Sequence, residues 1–282
     1  STSVASNQLA LMQASRTGLD MSTTFELVQN LDGIRRSVRH IDQTQLQIDS
    51  SYMLEYGTLI YSQTGQTGET QNHSGDRHSS AGSCMAYYGT LAGTQAVAVK
   101  VLLYRDLTVD SIRSFCLNAM LLTSLKHPNV VAVYGICIQP PTLCMIEELC
   151  ECDLRQYLNS NADNLSMREK LLLALDCARA VEFLHSPDTT QGNHPIVHMD
   201  LRAGKFLIQL ASESDNEEES MRGVLHGQVV VKLGDLELSE QTKDVGNGPQ
   251  RIIVSRSRPT CGNWVSPEVL GGHPFSQASD IY

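Results

Sequence analysis

Apolar residues recur at helical spacing early in this chain, at Val28, Leu31, Ile34, Val38 and Ile41. That period predicts an amphipathic helix, which Asp32-Gly33 interrupts. Residues 50–62 are rich in aromatic and β-branched side chains and predict a strand. Residues 63–80 are mostly Gly, Ser, Thr, Gln and His, a long polar loop with little to bury. Tyr87–Gly93 then predicts a strand and turn, and Ala96–Leu102 a second strand. Ile112, Phe115, Ala119 and Leu122 fall on one helical face, with Asp110 as the expected N-cap. Asn129–Cys137 and Thr142–Glu148 predict two more short strands. After Cys150 the period turns helical, and Leu171, Ala174, Leu175, Ala178 and Val181 mark a strong helix. Strands follow at Phe206–Leu210 and Val229–Leu233. Between them Glu213, Asp215, Glu217, Glu218 and Glu219 form an acidic run, read as a solvated surface loop. No internal repeat is visible.

Composition narrows the class. The chain has 282 residues, 41% apolar and 18% charged, which is globular and not disordered. No run of apolar residues is long enough to predict a membrane span, and the first residues lack the pattern of a signal peptide. A formal net charge of −10 argues against a nucleic-acid partner or an anionic membrane surface. It leaves nucleotide binding open, since that takes only a few positioned groups. The 8 cysteines contain no C-x-x-C pair, so a zinc ribbon is not expected. Most lie in apolar runs and read as reduced, buried thiols of a cytoplasmic protein.

Six short motifs then occur in one order. They are Val97-Ala98-Val99-Lys100, Ser124-Leu125-Lys126-His127-Pro128-Asn129-Val130-Val131, His198-Met199-Asp200-Leu201-Arg202, Gly234-Asp235-Leu236-Glu237, Trp264-Val265-Ser266-Pro267-Glu268 and Asp280-Ile281-Tyr282. Each alone is weak. Together, from about residue 50 onward, they resemble the protein kinases, and most of all their tyrosine-kinase-like serine/threonine group. Ile48-Asp49 and Pro195-Ile196-Val197 suit the same group.

The resemblance implies an α+β, bilobal fold. It has a small antiparallel-sheet N-lobe with one helix and a helical C-lobe. It implies an N-terminal extension over 1–49, partly helical. The N-lobe would span 50–149 with an insertion at 63–80. A partial C-lobe would span 150–282 with an acidic insertion at 211–228. It implies that the chain stops about halfway through the large lobe, so that the lower lobe exposes apolar surface.

In that family a lysine holds the α- and β-phosphates and pairs with a helix glutamate. One aspartate orients the substrate hydroxyl, while an asparagine and a second aspartate hold Mg²⁺. By resemblance Lys100 fits the phosphate lysine, Asp200 the catalytic base and Asp235 the metal ligand. Ala98, Glu147, Glu148 and Leu207 fall where the family lines its nucleotide. Other positions depart. Asn118 stands where the helix glutamate is expected, and Lys205 where the metal-binding asparagine is expected. An ammonium cannot ligate Mg²⁺ and repels it, but it can neutralise Asp200 or Asp235. Met199 replaces an arginine, and Glu237 replaces a glycine. Counted back from Gly89, the phosphate-loop positions fall on Ser79, Ala81 and Cys84; counted forward from Ile60, they run from Tyr61 into the insertion; by neither count are there three glycines.

One substitution compensates if the alignment holds. Glu147, on the strand leading to the hinge, would lie beside the strand of Lys100 and replace the missing glutamate. A slip of one residue in the alignment is the rival reading. Ser255, Ser257 and Thr260, set among Arg251, Arg256 and Arg258, read either as a phosphosite or as an exposed loop.

The expectation is a pseudokinase that acts in signalling through protein partners. It would keep a nucleotide-binding remnant for ATP, with Mg²⁺ bound weakly or not at all. The alternatives are an active protein serine/threonine kinase acting on a protein substrate, and a plain nucleotide-binding module.

Overall fold

The structure, a computed structural model, describes residues 39–53, 83–103, 109–139, 142–186, 195–210, 229–236, 239–244, 251–252 and 262–282. Of the expected helix over 28–41, residues 28–38 lie outside them, and residues 39–41 are not helical. The loop at 63–80 and the acidic run at 211–228 also lie outside them. So do Ser79, Ala81, Glu237, Ser255, Ser257 and Thr260. The chain divides into two compact units. One is Ser1–Lys126 with Ala132–Leu149, and the other is His127–Val131 with Cys150–Tyr282.

Among the described residues of the first unit, five strands and an α-helix follow one another: β1 (Leu46–Met53), β2 (Ser83–Leu91), β3 (Gln95–Leu103), α1 (Val109–Ser124), β4 (Val133–Gln139) and β5 (Thr142–Glu148). The strands form one antiparallel sheet in the order β1-β2-β3-β5-β4. Period-two alternation decides its faces. Val97, Val99 and Val101 point one way into a core with Tyr87, Leu91, Cys137, Cys144 and Ile146. Burying each such valine is worth about 1.5–3 kcal/mol. Ala98 and Lys100 therefore take the opposite face. The β2–β3 turn places Ala92 and Gly93 at positive φ, as a tight hairpin requires.

Two glycines are fixed by close approach. A Cβ at Gly89 would lie 2.7 Å from Val99 Cγ2 and 2.9 Å from the Gln47 carbonyl oxygen. One at Gly135 would lie 2.3 Å from the Arg39 carbonyl oxygen. The segment so admitted runs beside β4. The Ile136 N–H donates to Arg39 O at 3.0 Å, and the Ile41 N–H donates to Ile136 O at 2.8 Å. Ile41 is fully buried in the sheet's core. Residues 39–49, read from the sequence as extension, thus pack on the sheet, and β1 begins at Leu46 rather than at residue 50. The apolar pattern could not show this, because Ile41 is buried by a partner remote in sequence.

Helix α1 packs along β4 through Ile112, Phe115, Cys116, Ala119 and Leu122, the face that the spacing predicts. Asp110 is not its N-cap. The helix starts at Val109, so Asp110 lies inside its first turn. β4 begins at Val133, not Asn129, because Val130 instead bridges Leu233 in the second unit.

The second unit contains β6 (Cys152–Asp153), α2 (Leu154–Ser160), α3 (Met167–His185), β7 (Ile196–Val197), β8 (Phe206–Leu210), β9 (Val229–Leu233), β10 (Glu240–Gln241), α4 (Pro267–Leu270) and α5 (Gln277–Ile281). β6, β8 and β9 make a three-stranded sheet in the order β6-β8-β9, and β10 pairs with β7. Both β8 and β9 have the bounds expected from the sequence. Asp153 caps α2 by accepting from the Gln156 N–H at 2.8 Å. α3 opens on a capping box in which Ser166 and Glu169 serve each other's backbone N–H.

The buried face of α3 is Leu173, Asp176, Ala180 and Leu184, set against β9. Leu171 and Leu175 of the expected apolar stripe are 63% and 43% exposed. Ala178 and Val181 line an open cleft with Leu201 and Ile281. Buried Asp176 accepts from the Val231 N–H at 3.3 Å. The segment His127–Val131 closes the other side of β9. Asn129 Nδ2 donates to Val231 O at 2.9 Å, and the Leu233 N–H donates to Asn129 O at 2.8 Å. The His127 ring stacks on Phe183 at 4.7 Å.

Among the described residues, no helix is long and apolar enough to cross a membrane.

Candidate functional site

The register of β3 and β5 builds the first cluster. Ala98 lies opposite Glu147, and Lys100 lies opposite Met145. All four therefore share one face, with Lys100 diagonal to Glu147 and within reach of a long side chain. Lys100 Nζ is 3.2 Å from Glu147 Oε2, and both side chains are about 95% buried (4% and 5% exposed). The expected pairing is present in the geometry, and a one-residue slip would have put Glu147 on the other face. Glu148, the next residue, turns away and accepts from the Ala132 N–H through Oε2 at 3.2 Å. Asn118 is half-buried on α1 and brings no charge.

The second cluster lies in the second unit, between β7 and the turn after β9. His198 is fully buried. The Asp200 N–H donates to its Nδ1 at 3.3 Å, so Nδ1 carries no proton and Nε2 donates to the Gly234 carbonyl at 3.1 Å. Burial pushes the His198 pKa down, which suits this neutral tautomer. His198 thus ties the segment carrying Asp200 to the segment carrying Asp235. Asp280, on α5, clamps the same segment from behind. Its carboxylate accepts the His198 N–H at 2.7 Å and the Met199 N–H at 2.8 Å. Met199 is held at φ +68° and Asp235 at φ +61°. Aspartate tolerates that region, whereas methionine does so only under restraint.

Lys205 ends a short 3₁₀ turn, Ala203–Lys205. Its N–H donates to Arg202 O at 2.8 Å, and its carbonyl accepts from the Gly234 N–H at 2.9 Å. The side chain is buried. Nζ lies 3.2 Å from Asp200 Oδ2 and also contacts Asp235 Oδ2 directly. Arg202 Nε lies 3.3 Å from Asp200 Oδ1. Two carboxylates thus meet two cations, and their formal charges cancel.

The protein tyrosine and serine/threonine kinase family matches residues 82–282. The chain belongs to the protein kinase family. It is similar to the probable serine/threonine-protein kinase SIS8 of Arabidopsis thaliana, 30% identical over 197 residues, covering 70% of this chain and 16% of the relative. It is similar to serine/threonine/tyrosine-protein kinase HT1 of the same plant, 29% identical over 219 residues, covering 74% of this chain and 47% of the relative. It also resembles the probable serine/threonine-protein kinase roco7 of Dictyostelium discoideum, 30% identical over 200 residues, covering 70% of this chain and 7% of the relative. The chain spans less than half the length of each.

The α+β kinase fold is that of its family, with an antiparallel-sheet N-lobe and a helical C-lobe. Kinases of this group generally use ATP and Mg²⁺, and the residues around Asp235 do not fit the metal. Mg²⁺ asks for oxygen ligands in octahedral geometry. Here an ammonium already bridges the two carboxylates that would supply them. Among the described residues, no group of three or more His, Cys, Asp and Glu could hold a metal ion.

Of the residues singled out in the sequence, Lys100, Ala98, Glu147 and Glu148 fall in the first unit. Asp200, Asp235 and Leu207 fall in the second, with Leu207 buried on β8 opposite Asp153 and Lys232. Two contributors were missed as such. In the sequence Arg202 figures only as part of a motif, and its spacing from Asp200 is the signal for the contact. Asp280 was read only as a helix start, and nothing local betrays its hold on His198 and Met199, 81 or 82 residues away.

Proposed function

We propose that this chain carries a pseudokinase domain, which acts in signalling through protein partners and has lost efficient phosphoryl transfer. The observation that supports this is the contact of Lys205 with both Asp200 and Asp235. Phosphoryl transfer in kinases depends on positioning and on cations that neutralise the developing charge. A buried monovalent ammonium engaged by two carboxylates cannot bridge phosphate oxygens as a mobile divalent ion does. The general-base role of Asp200 is weakened too, because Arg202 and Lys205 compete for the lone pairs that would accept a hydroxyl proton. ATP remains the proposed ligand, with Lys100, Ala98, Glu147 and Glu148 as its proposed residues in the first unit and Leu207 in the second. The proposed setting is cytoplasmic, which the unbridged thiols Cys137, Cys144 and Cys177 support.

The second reading is an active serine/threonine kinase, favoured by the retention of Lys100, Asp200 and Asp235. A transfer assay with Mg²⁺- or Mn²⁺-ATP and a general protein substrate separates the two. The expected result is no incorporation above that of the Asp200→Asn variant. Transfer that Asp200→Asn abolishes would overturn the pseudokinase reading.

A further inference from the structure

The same cluster bears on how a nucleotide is held, an inference that rests on the proposed pseudokinase reading. Two bare carboxylates repel a polyphosphate, so some cation must stand between them and it. In this chain the cation is already covalently present. Lys205 Nζ reaches Asp200 and Asp235, its side chain is only 5% exposed, and Arg202 holds the remaining side of Asp200. Its backbone is tied on both sides, to Arg202 and to Gly234, so the ammonium is delivered by a fixed turn rather than by a wandering surface chain. The formal charges of these four groups cancel, so both carboxylates that would recruit a dication are already engaged by cations. A Mg²⁺ ion entering here would meet an ammonium before it met an unengaged carboxylate.

We propose that Lys205 is a built-in counter-ion and that this domain binds a nucleoside triphosphate without a divalent cation. Asp235 is the most exposed of the three side chains, at 16%. The cluster therefore opens on its Asp235 side, and a phosphate approaches there with its repulsion cancelled. No bond is made or broken in this step. It is ion pairing alone.

The test uses the full 282-residue chain with ATP as the probe, in EDTA and in MgCl₂, read by thermal shift and titration calorimetry. The wild type should bind ATP equally in both buffers, within about twofold in Kd. Lys205→Asn should bind about tenfold more weakly in EDTA and recover in MgCl₂, because metal and nucleotide then become linked ligands. Asp235→Asn provides a second variant should Lys205→Asn not fold. It should bind ATP in EDTA at least as tightly as the wild type, since a negative charge is gone. Three results would overturn the proposal: a wild type that needs Mg²⁺, an Asp235→Asn variant that loses ATP, or no ATP binding in either buffer. All three leave the pseudokinase reading standing. That reading fails instead on phosphoryl transfer to a protein substrate.

Discussion

Lys100 and Glu147 occupy neighbouring strands, diagonal to each other on one sheet face, with Nζ 3.2 Å from Oε2. The partner of the lysine is thus set by strand register and not by the position of a helix. Both side chains are almost wholly buried, so desolvation offsets much of their attraction. Removing one partner should therefore cost far more than removing both. Glu147→Gln is expected to destabilise the protein by about 3–5 kcal/mol. The double change Lys100→Met with Glu147→Leu should lie within about 1 kcal/mol of wild type or be more stable. Urea unfolding midpoints check this. A Glu147→Gln variant of unchanged stability would show that the pair is not formed in solution.

The Lys205 cluster obeys the same electrostatics with an opposite remedy. Lys205→Met removes the ammonium that Asp200 and Asp235 share, while Arg202 stays on Asp200 alone. The expected loss is about 3 kcal/mol, the low end of the cost of breaking a buried pair. Adding Asp235→Asn should recover more than half of it. Millimolar Mg²⁺ should raise the melting temperature of Lys205→Met and leave that of the wild type unchanged. Equal Mg²⁺ responses in the two proteins would count against a lysine that replaces the metal.

Much of this was legible in the residues, for stated reasons. β3 alternates Val97, Val99 and Val101 with Ala98 and Lys100, so its two faces could be read directly. Lys205 stood out because an ammonium occupies a position that asks for a metal ligand. Its simultaneous hold on two aspartates, one of them thirty residues further along the chain, needed the fold. α3 shows where periodicity stops. Its residues repeat at helical spacing, yet Leu171 and Leu175 lie outward while the polar Asp176 lies inward. A hydrogen bond from β9 satisfies Asp176, and no local pattern encodes that partner. Asp110 failed as a cap by one residue, the usual resolution of helix ends.

Acid should weaken the protein through His198. Burial holds its pKa below the ordinary value near 6.5, so the folded protein resists the proton that the unfolded chain accepts. The sign follows: the contribution is fully present above about pH 6.5 and is lost as pH falls below it, until the native histidine itself titrates. The slope in that window approaches about 1.4 kcal/mol per pH unit from this one group. Urea midpoints measured from pH 7.5 to 5.5 should fall for the wild type. The His198→Gln variant, less stable throughout, should lose that part of the slope. Parallel curves would assign the acid sensitivity to other groups.

Asp280 offers a separate check on the architecture. Its carboxylate holds two backbone N–H groups and also meets His185 Nε2 at 3.0 Å. Asp280→Ala strands those donors and frees Met199 from a positive φ that it would not choose. The expected cost is about 2–4 kcal/mol, from charge-assisted bonds of about 1.5–3 kcal/mol each less partial rehydration. Asp280→Asn, which keeps one carbonyl acceptor, should restore part of that. Hydrogen exchange at the His198 and Met199 amides should accelerate in Asp280→Ala well beyond the change in β9. Uniform acceleration would instead indicate a purely global effect.

The segment His127–Val131 has a consequence for how the molecule can be taken apart. The two compact units are interleaved along the chain, because this short piece belongs to one while residues on both sides of it belong to the other. A clone that starts at Cys150 therefore does not isolate the second unit. It omits Asn129, which bonds the backbone of Val231 and Leu233, and His127, on which Phe183 stacks. β9 would be left with a bare edge, and bare edges recruit strands from other molecules. The genetic boundary and the physical boundary are different lines, and a fragment cut at the first would aggregate for want of five residues.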